Sequence, residues 1–302
     1  MLKGLSTSPT IIPSRPSGKL PGHVPDRSRA IGSILVEGGR LASGEIERIL
    51  NYAAERRIRF GDAAIQLDLI TPEDVLFALA RQFKNQALVR GPEGVAEDLI
   101  AGYDPQNPML ECLRNLRSQI MLRWYPANTH RVFAVVSPER GEGRSWIVAN
   151  LAVAFCQIGL RTLIIDADLR HPRQQQIFNL AGTVGLCELL TGRAGADVAQ
   201  RIHPQLRLFL VTAGAGAPNP QELLSRPVFP AVIGRFAAQF DLILVDTPAA
   251  NESSDAQIIA SHSRSALLLA RKDRTGRAKL RTTMQSLRSV GVGIIGSVMN
   301  EH

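Results

Sequence analysis

Short apolar runs alternate with longer helical patterns through the last two thirds of the chain. The runs are of strand length, and each intervening segment is long enough to hold a helix. This alternation predicts an α/β fold, in which a mostly parallel sheet is covered by helices on both faces. The predicted strands are residues 132–136, 162–166, 207–211, 241–246, 265–270 and 293–299, preceded by a helix over 109–124.

A different pattern precedes this region, where one motif of small and apolar residues occurs twice. The run from Ile31 to Leu41 is echoed 29 residues later by the run from Phe60 to Ile70, and each copy leads into an amphipathic helix. Two such units predict a small all-helical domain. The predicted organisation is a flexible proline-rich leader at 1–27, the helical domain at 28–84, a linker at 85–108 and the α/β domain at 109–302.

Composition narrows the class of protein. The chain has 302 residues, of which 45% are hydrophobic, and this is enough for two folded domains. Its apolar runs are too short for a membrane helix, and its three cysteines lack metal-like spacing, so a cytoplasmic protein is expected. The net charge of +8 favours phosphorylated ligands, nucleic acid or an anionic membrane surface, without choosing among them.

A glycine-containing loop joins the strand at 132–136 to the apolar helix that follows. Such a loop turns backbone N–H groups and the positive end of the helix dipole toward one point, which suits a polyphosphate. Compared with the P-loop pattern GxxxxGK[ST], Pro138 stands at the first glycine, Gly143 at the second, Arg144 at the lysine and Ser145 at the hydroxyl. A plain connecting turn is the alternative interpretation.

Carboxylates follow two of the predicted strands. Asp166 and Asp168 end the second strand, and Asp246 ends the strand at 241–246. Ligands gather at the carboxyl ends of strands in open α/β sheets, and Asp246 stands where a Walker B acid would hold Mg²⁺. One such Asp is commonly a helix cap, but three acids beside a P-loop favour a nucleotide site.

Together these motifs resemble those of the bacterial protein-tyrosine kinases of exopolysaccharide systems, relatives of the Min and Par ATPases. The resemblance covers about residues 107–302 and includes the stretch Pro-Asn-Pro-Gln-Glu-Leu-Leu at 218–224. Within this family, the chain is similar to the chain-length determinant kinases that are encoded apart from their membrane partner. The resemblance implies a P-loop three-layer sandwich, the cofactors ATP and Mg²⁺, and ATP-dependent phosphorylation of protein tyrosines that regulates exopolysaccharide biosynthesis and chain length.

The resemblance also implies roles for individual residues. Asp166 and Asp168 would act on the tyrosine hydroxyl, with Arg144 as a third catalytic residue. The implied metal ligands are Ser145, Asp168 and Asp246. The implied nucleotide-binding residues are Gly141, Glu142, Gly143, Arg144, Ser145, Trp146 and Asn300.

Partners follow from the same resemblance. A membrane polysaccharide co-polymerase is the implied partner, which would place the chain in the cytoplasm, peripheral to the inner membrane. Glu111, Arg114 and Arg117 keep the spacing of a helix that joins subunits of related kinases, although an exposed ion-pair ladder explains them equally well. No nucleic acid is expected, because the cations at 271–288 have the amphipathic spacing of a solvated helix face.

Two departures from the family pattern keep a second function open. Arg144 replaces the P-loop lysine, and the five lysines of the chain are Lys3, Lys19, Lys84, Lys272 and Lys279. The sequence given ends at His302 without a tyrosine cluster, so self-phosphorylation on such a cluster is not expected. The alternative is a nucleotide-gated assembly switch of the Par or Min type that lacks kinase activity.

The repeat at 28–84 is similar to the small helical domain that opens type II secretion and pilus ATPases, some of which bind cyclic di-GMP. The match is incomplete, since Ala30 replaces an expected Arg and Asp68 an expected Gly. Both dinucleotide binding and plain protein docking remain open at this point. The candidate cyclic di-GMP residues are Arg59, Gly61, Gly32 and Gly39.

Overall fold

The computed structural model describes residues 26–302, except for positions 57, 72–73, 76–77, 79–87, 89–93, 105–106, 183, 205 and 302. The chain forms two compact units, residues 1–78 and 79–302, called here the helical unit and the sheet unit. Of the leader predicted at 1–27, residues 1–25 lie outside the described residues, and residues 26 and 27 begin the first helix. Among the residues that are described, no helix combines the length and apolarity needed to cross a membrane.

The helical unit is built from short amphipathic helices around a small apolar core. Each helix turns its aliphatic and aromatic side chains inward, and the largest buried ones are Leu35, Ile49 and Phe60. The helices with full bounds are α1 (Asp26–Glu37), α2 (Glu45–Arg56) and α3 (Phe60–Gln66).

Glycines at matching places in the two repeats let helices approach closely. A Cβ on Gly32 would lie 3.2 Å from the side chain of Ile46, and one on Gly61 would lie 3.1 Å from the side chain of Val75. Each glycine therefore faces an aliphatic residue 14 positions further along the chain. The predicted repeat is present in the packing as well as in the sequence.

The turn within each repeat uses the same backbone conformation. Gly39 has φ of 67°, and Asp68, 29 residues later, has φ of 54°. Aspartate is one of the few residues that tolerates this left-handed region, so Asp68 replaces the glycine without changing the turn. Thr71 and Asp74 then form a reciprocal capping pair, in which each backbone N–H meets the other residue's side chain, at 2.9 and 3.2 Å.

In the part of the sheet unit that the structure describes, seven strands lie in the order β3-β4-β2-β5-β1-β6-β7, all parallel except β3. The three central strands are buried along their whole length, as expected for a parallel sheet covered on both faces. Only β3 is missing from the sequence prediction, because two residues carry no periodicity. The strands are β1 (Val132–Val136), β2 (Thr162–Asp166), β3 (Gln200–Arg201), β4 (Leu208–Val211), β5 (Leu242–Asp246), β6 (Ser265–Arg271) and β7 (Gly293–Asn300).

Helices cover both faces of this sheet and complete three layers. One apolar cluster joins the sheet to α5 (Met109–Arg123) and α6 (Arg144–Gln157), and the other joins it to α10 (Val228–Ala237), α11 (Asp255–Ser263) and α12 (Arg277–Ser289). The helices are α4 (Ile100–Tyr103), α5 (Met109–Arg123), α6 (Arg144–Gln157), α7 (Gln174–Ile177), α8 (Leu186–Leu190), α9 (Pro220–Leu224), α10 (Val228–Ala237), α11 (Asp255–Ser263) and α12 (Arg277–Ser289). The predicted three-layer α/β sandwich is confirmed.

The stretch predicted as a linker, 85–108, differs from that expectation where it is described. Val95 and Leu99 are buried in the same cluster as α6. Asn150 of α6 accepts a 2.9 Å hydrogen bond from the N–H of Ala101 and donates to the carbonyl of Asp98 at 2.9 Å. Because a buried helix supplies these partners, the stretch belongs to the sheet unit. Its many polar residues hid the few buried apolar positions.

Candidate nucleotide site

The loop between β1 and α6 has the backbone shape of a phosphate cradle. Gly141 and Gly143 have φ of 71° and 99°, a region that glycine enters without strain. Gly143 is also the N-cap of α6, so the free N–H groups of the first helical turn open at this loop. A Cβ at Gly143 would also overlap the side-chain amide of Asn300, which would have to move away.

Arg144 lies inside the loop, 7% exposed, and does not extend into solvent. Its Nε donates to the carbonyl of Thr247 at 2.8 Å, and Nη1 donates to the carbonyl of Glu139 at 2.6 Å and to the hydroxyl of Ser137. The guanidinium therefore connects both ends of the loop to the turn after β5. Its charge remains at the lysine position, but Nε and Nη1 are bonded to protein oxygens.

Glu142 was predicted to bind nucleotide, and its carboxylate is fully buried. One oxygen accepts the N–H of Glu139 at 2.7 Å, and the other accepts the hydroxyl of Thr275, between β6 and α12. The backbone carbonyl of Glu142 accepts the amide of Asn300 at 3.0 Å. The side chain of Glu142 thus supports the loop, and Asn300 lies against it as the last residue of β7.

Three polar residues meet where α6 begins and β5 ends. The hydroxyl of Ser145 lies close enough to Asp246 to lower the pKa of that carboxyl group. Gln174, fully buried at the start of α7, donates to Asp246 Oδ2 at 2.7 Å and to the carbonyl of Ser145 at 3.0 Å. The second oxygen of Asp246 and Oε1 of Gln174 are buried without a hydrogen-bond partner. Sequence reasoning missed Gln174, which lies in a run of three glutamines.

This arrangement fits a magnesium ion. Mg²⁺ takes oxygen ligands, keeps several waters and uses one or two protein groups beside the phosphates of its nucleotide. The Ser145 hydroxyl and an Asp246 oxygen without a hydrogen bond are ligands of this kind. Among the described residues, no three His, Cys, Asp or Glu side chains form a metal cluster on their own. The hydroxyl and the carboxylate oxygen suit an ion that is bound together with a nucleotide.

Asp166 and Asp246 lie side by side, because β2 and β5 pair in parallel with these residues in register. Burial and the negative charge of Asp246 raise the pKa of Asp166 well above its usual range. Burial also raises the pKa of Asp246 to about 6, although the hydrogen bond from Gln174 opposes that shift. Two neighbouring buried carboxylates repel each other when both are ionised, and a bound cation would offset that repulsion.

The two acids after β2 have different surroundings. Both oxygens of Asp166 accept backbone N–H groups, at 3.3 Å from Asp168, 3.1 Å from Arg173 and 3.0 Å from Gln174. Asp168 accepts the N–H of His171 at 2.8 Å through a single oxygen, Oδ1, and is 5% exposed. Asp166 therefore holds the loop and the start of α7, whereas the second oxygen of Asp168 has no described bond.

A buried ion pair connects this loop to α11. Arg170 donates from Nε to Oδ2 of Asp255 at 2.8 Å, and Asp255 is 1% exposed. The hydrogen bond to Asp255 raises the pKa of Arg170. Trp146, predicted to bind nucleotide, packs against the apolar cluster that contains α6. The predicted residues of the loop and strand ends thus converge, while Trp146 contributes to packing.

Comparison with known proteins decides the family. No protein-family model matches the chain. The tyrosine-protein kinase YwqD of Bacillus subtilis is 30% identical over 203 residues, 67% of this chain and 85% of YwqD. A putative tyrosine-protein kinase EpsB of Ralstonia solanacearum is 33% identical over 204 residues, 67% of this chain but 27% of EpsB. The chain belongs to the bacterial tyrosine-protein kinase family.

A solved structure supports the same assignment. The kinase domain of Escherichia coli tyrosine kinase ETK aligns with a TM-score of 0.63 at 27% identity, over 70% of this chain and 82% of that domain. The predicted family is confirmed, and the predicted enzyme class is confirmed at the level of the family. This kinase-family chain spans about a quarter of the length of EpsB and most of the length of YwqD.

The residues predicted to join subunits of this kinase-family chain lie on α5 and split into two groups. Glu111 and Arg114 form an ion pair at 3.4 Å on the helix surface. Arg117 instead donates to the carbonyl of Ala154 on α6 at 2.9 Å, and burial lowers its pKa. Glu111 and Arg114 therefore remain candidates for a subunit contact, whereas Arg117 is used inside the chain.

The candidate cyclic di-GMP residues have structural explanations in the helical unit. Gly32 and Gly61 are used in helix packing, and Gly39 sits in a left-handed turn. Arg59 is the N-cap of α3 and is exposed. The glycines are therefore accounted for without a ligand, and dinucleotide binding has no support.

Proposed function

We propose that this chain transfers the γ-phosphoryl group of ATP to tyrosine hydroxyls of proteins, with Mg²⁺, and so regulates exopolysaccharide production. The observation that carries the proposal is the meeting of Ser145, Asp246 and Gln174 beside the open helix N-terminus of the P-loop. Family membership supplies the reaction class, since YwqD and EpsB are named as tyrosine kinases.

The chain contributes mainly position and charge to such a reaction. The loop glycines and the first turn of α6 present N–H donors to the phosphates. Ser145 and Asp246 would hold Mg²⁺, and Gln174 fixes the carboxylate of Asp246. When bound, Mg²⁺ neutralises the charge that develops on the transferred phosphoryl group. Catalysis then depends on alignment of the nucleotide with the incoming hydroxyl.

We propose that the tyrosine hydroxyl that receives the phosphoryl group donates a hydrogen bond to Asp168 rather than to Asp166. Both oxygens of Asp166 accept backbone N–H groups, so this residue acts by shaping the loop. Asp168 commits Oδ1 to backbone groups and is the more exposed of the two. Its other oxygen is therefore the better candidate to accept a hydrogen bond from the tyrosine hydroxyl.

The acceptor is proposed to be a tyrosine of another protein or another copy of the chain. Tyr125 of the sheet unit donates to the carbonyl of Asp241 at 3.4 Å and accepts from Arg131 at 2.8 Å. Tyr52 of the helical unit donates to Gln66 at 3.4 Å. A membrane polysaccharide co-polymerase remains the proposed partner, and with it a peripheral location at the inner membrane and self-association through α5.

A specific observation favours the alternative of a nucleotide-gated switch. Nε and Nη1 of Arg144 are bonded to protein oxygens, so two of the three guanidinium nitrogens at the lysine position are held by the chain itself. Such a chain would bind ATP and assemble without transferring phosphate. Both functions use the same cofactor site, and they differ only in whether label reaches tyrosine.

The test is incubation with γ-labelled ATP and Mg²⁺, with and without the cytoplasmic segment of the membrane partner, followed by phosphotyrosine mapping. The blank is the double variant Asp166→Asn and Asp168→Asn, which keeps side-chain volume. Label on tyrosine that disappears in the blank supports the kinase. ATP binding without transferred label in either arm would contradict it and support the switch.

A further inference from the structure

Two charged side chains of the P-loop hold one residue, Glu139, through the peptide groups on either side of its Cα. The carboxylate of Glu142 accepts the N–H of Glu139 at 2.7 Å. The guanidinium of Arg144 donates to the carbonyl of Glu139 at 2.6 Å. Both side chains are buried, with exposures of 0% and 7%. The backbone of Glu139 is therefore fixed through both of its polar groups.

Each of these side chains is anchored at a second point outside that contact. Arg144 donates from Nε to the carbonyl of Thr247 at 2.8 Å, which connects the loop to the turn after β5. Glu142 accepts the hydroxyl of Thr275 between β6 and α12. Thr275 in turn accepts the N–H of Arg271 at 2.7 Å. The loop is thus braced from both neighbouring strands of β1.

A lysine at position 144 could not make the same contacts. Arginine carries donors on separate nitrogens of a rigid fork, whereas lysine carries all three on one nitrogen. Here Nε and Nη1 serve different carbonyls, on Thr247 and Glu139. A lysine would leave at least one of these contacts unmade. If the contact to Glu139 were lost, the backbone of Glu139 would be held by Glu142 alone.

Charge balance couples the two residues further. A buried carboxylate is costly unless donors and a compensating cation lie close to it. Glu142 has a backbone N–H, a hydroxyl and the cation of Arg144 in the same short loop. Removing Arg144 therefore takes away a cation of the short loop in which this carboxylate is buried.

We propose that Glu142 and Arg144 act as one clamp on Glu139 that fixes the P-loop, and that Arg144 is a positioning residue rather than the phosphate contact of the usual lysine. This inference rests on the proposed nucleotide site. Under it, Arg144→Lys, which restores the usual P-loop residue, weakens nucleotide binding as long as Glu142 is present. The phosphates are then held by the loop N–H groups and Ser145.

The experiment is a double-mutant cycle on the full chain. The variants are Arg144→Lys, Glu142→Ala and the double variant, with Arg235→Lys and Glu222→Ala as matched controls at exposed helix positions. Two quantities are measured: the Kd for a non-hydrolysable ATP analogue with Mg²⁺, and the thermal midpoint without nucleotide. Glu142→Gln replaces Glu142→Ala if the alanine variant does not fold.

The clamp predicts that each single variant weakens nucleotide binding by about tenfold, the size of a lost hydrogen bond to a charged group. It also predicts that the double variant is no more than slightly worse than either single one, because both break the same unit. The nucleotide-free thermal midpoint should show the same shortfall from additivity. Tighter binding by Arg144→Lys alone, or simple addition of the two effects, would overturn the clamp.

Failure of the proposed function would look different. If the wild-type chain does not bind the ATP analogue at all, the nucleotide site is wrong. The double-mutant cycle on the thermal midpoint still tests the clamp in that case, because this measurement needs no bound nucleotide. Coupled midpoints then support the clamp, and additive midpoints reject it.

Discussion

The two units of the chain bury different kinds of side chain. Among the described residues of the helical unit, every buried side chain is apolar. The sheet unit buries charged groups as well. Asp166 and Asp246 end the adjacent strands β2 and β5, and Glu142 and Arg144 follow the neighbouring strand β1. Burying charge is costly, so a protein concentrates it where a ligand or a reaction needs it. The difference marks one region as scaffold and the other as site.

The glycines of the two units also differ in the reason that glycine is needed. In the helical unit, Gly32 and Gly61 are required because helices pack across them. In the sheet unit, Gly141 and Gly143 are required because the loop backbone is left-handed beside an open helix N-terminus. A glycine in a motif therefore indicates a ligand only when the surrounding backbone leaves N–H groups unused. Protein docking remains the simpler role for the helical unit.

The largest expected effect comes from removing the charge of Asp246. In Asp246→Asn the side chain keeps its volume but loses the anionic ligand for Mg²⁺, and we expect phosphoryl transfer to fall by about 10³-fold. The measurement is single-turnover transfer from labelled ATP at saturating Mg²⁺.

The nucleotide-free chain should not lose stability with this change, because the substitution removes a buried charge beside Asp166. A variant that unfolds at lower temperature at neutral pH would show that Asp246 has a structural role and would weaken the contrast between the units. Glu222→Gln, at an exposed position on α9, is the control for loss of one negative charge.

Gln174 should give the next largest effect, since it orients Asp246 without being charged. In Gln174→Met the volume is similar but both donated hydrogen bonds are lost. Partners of metal ligands typically contribute 10–100-fold, so we expect the Mg²⁺ concentration for half-maximal nucleotide binding to rise by about that factor. Gln176→Met, exposed two residues later, should leave it unchanged. An equal effect of both would remove Gln174 from the site.

The sequence predicts the strands of the sheet unit well, because each central strand is a continuous apolar run ending at a charged or small residue. The bounds of β1 and β2 agree residue by residue with the prediction, and that of β5 differs by one residue at its start. The order of the motifs was sufficient to place Asp166 and Asp246 at one edge. Periodicity and motif order are local signals, and these features are local.

Features that depend on side-chain direction were not predictable. Gln174, Gln175 and Gln176 are chemically equal in the sequence, and only the short turn of α7 decides that the first one faces Asp246. Glu142 looked like a ligand residue, yet its carboxylate turns back onto its own loop. Tertiary contacts settle both cases, and no pattern along the chain reports them.

A smaller effect tests the scaffold side of the comparison. In Gly61→Val the added side chain meets Val75, which already lies 3.1 Å from an ideal Cβ. Overpacking of this kind destabilises by about 1–3 kcal/mol. Gly44→Val is the matched control, because nothing lies within 4 Å of a Cβ at that position. Thermal unfolding of the full chain should show the loss, while the Kd for the ATP analogue stays unchanged. Weaker nucleotide binding by Gly61→Val alone would assign the helical unit a part in the site.

The smallest expected effect is the pH dependence of stability in the nucleotide-free chain. The pKa of Asp246 is about 6 in the folded protein and 3.8 for the unperturbed group, so the folded state binds the proton more tightly. Its contribution to stability is fully present below about pH 4 and is lost as the pH rises through 6. Between pH 5 and 7 we expect the thermal midpoint of the wild-type chain to fall by about 3–5 °C relative to Asp246→Asn. Mg²⁺ with the ATP analogue should cancel this difference for the wild type alone, because the bound cation compensates the ionised carboxylate. If the thermal midpoints of the two chains change in parallel with pH, ionisation of Asp246 does not destabilise the folded protein, and burial of charge in the sheet unit is not costly at this residue.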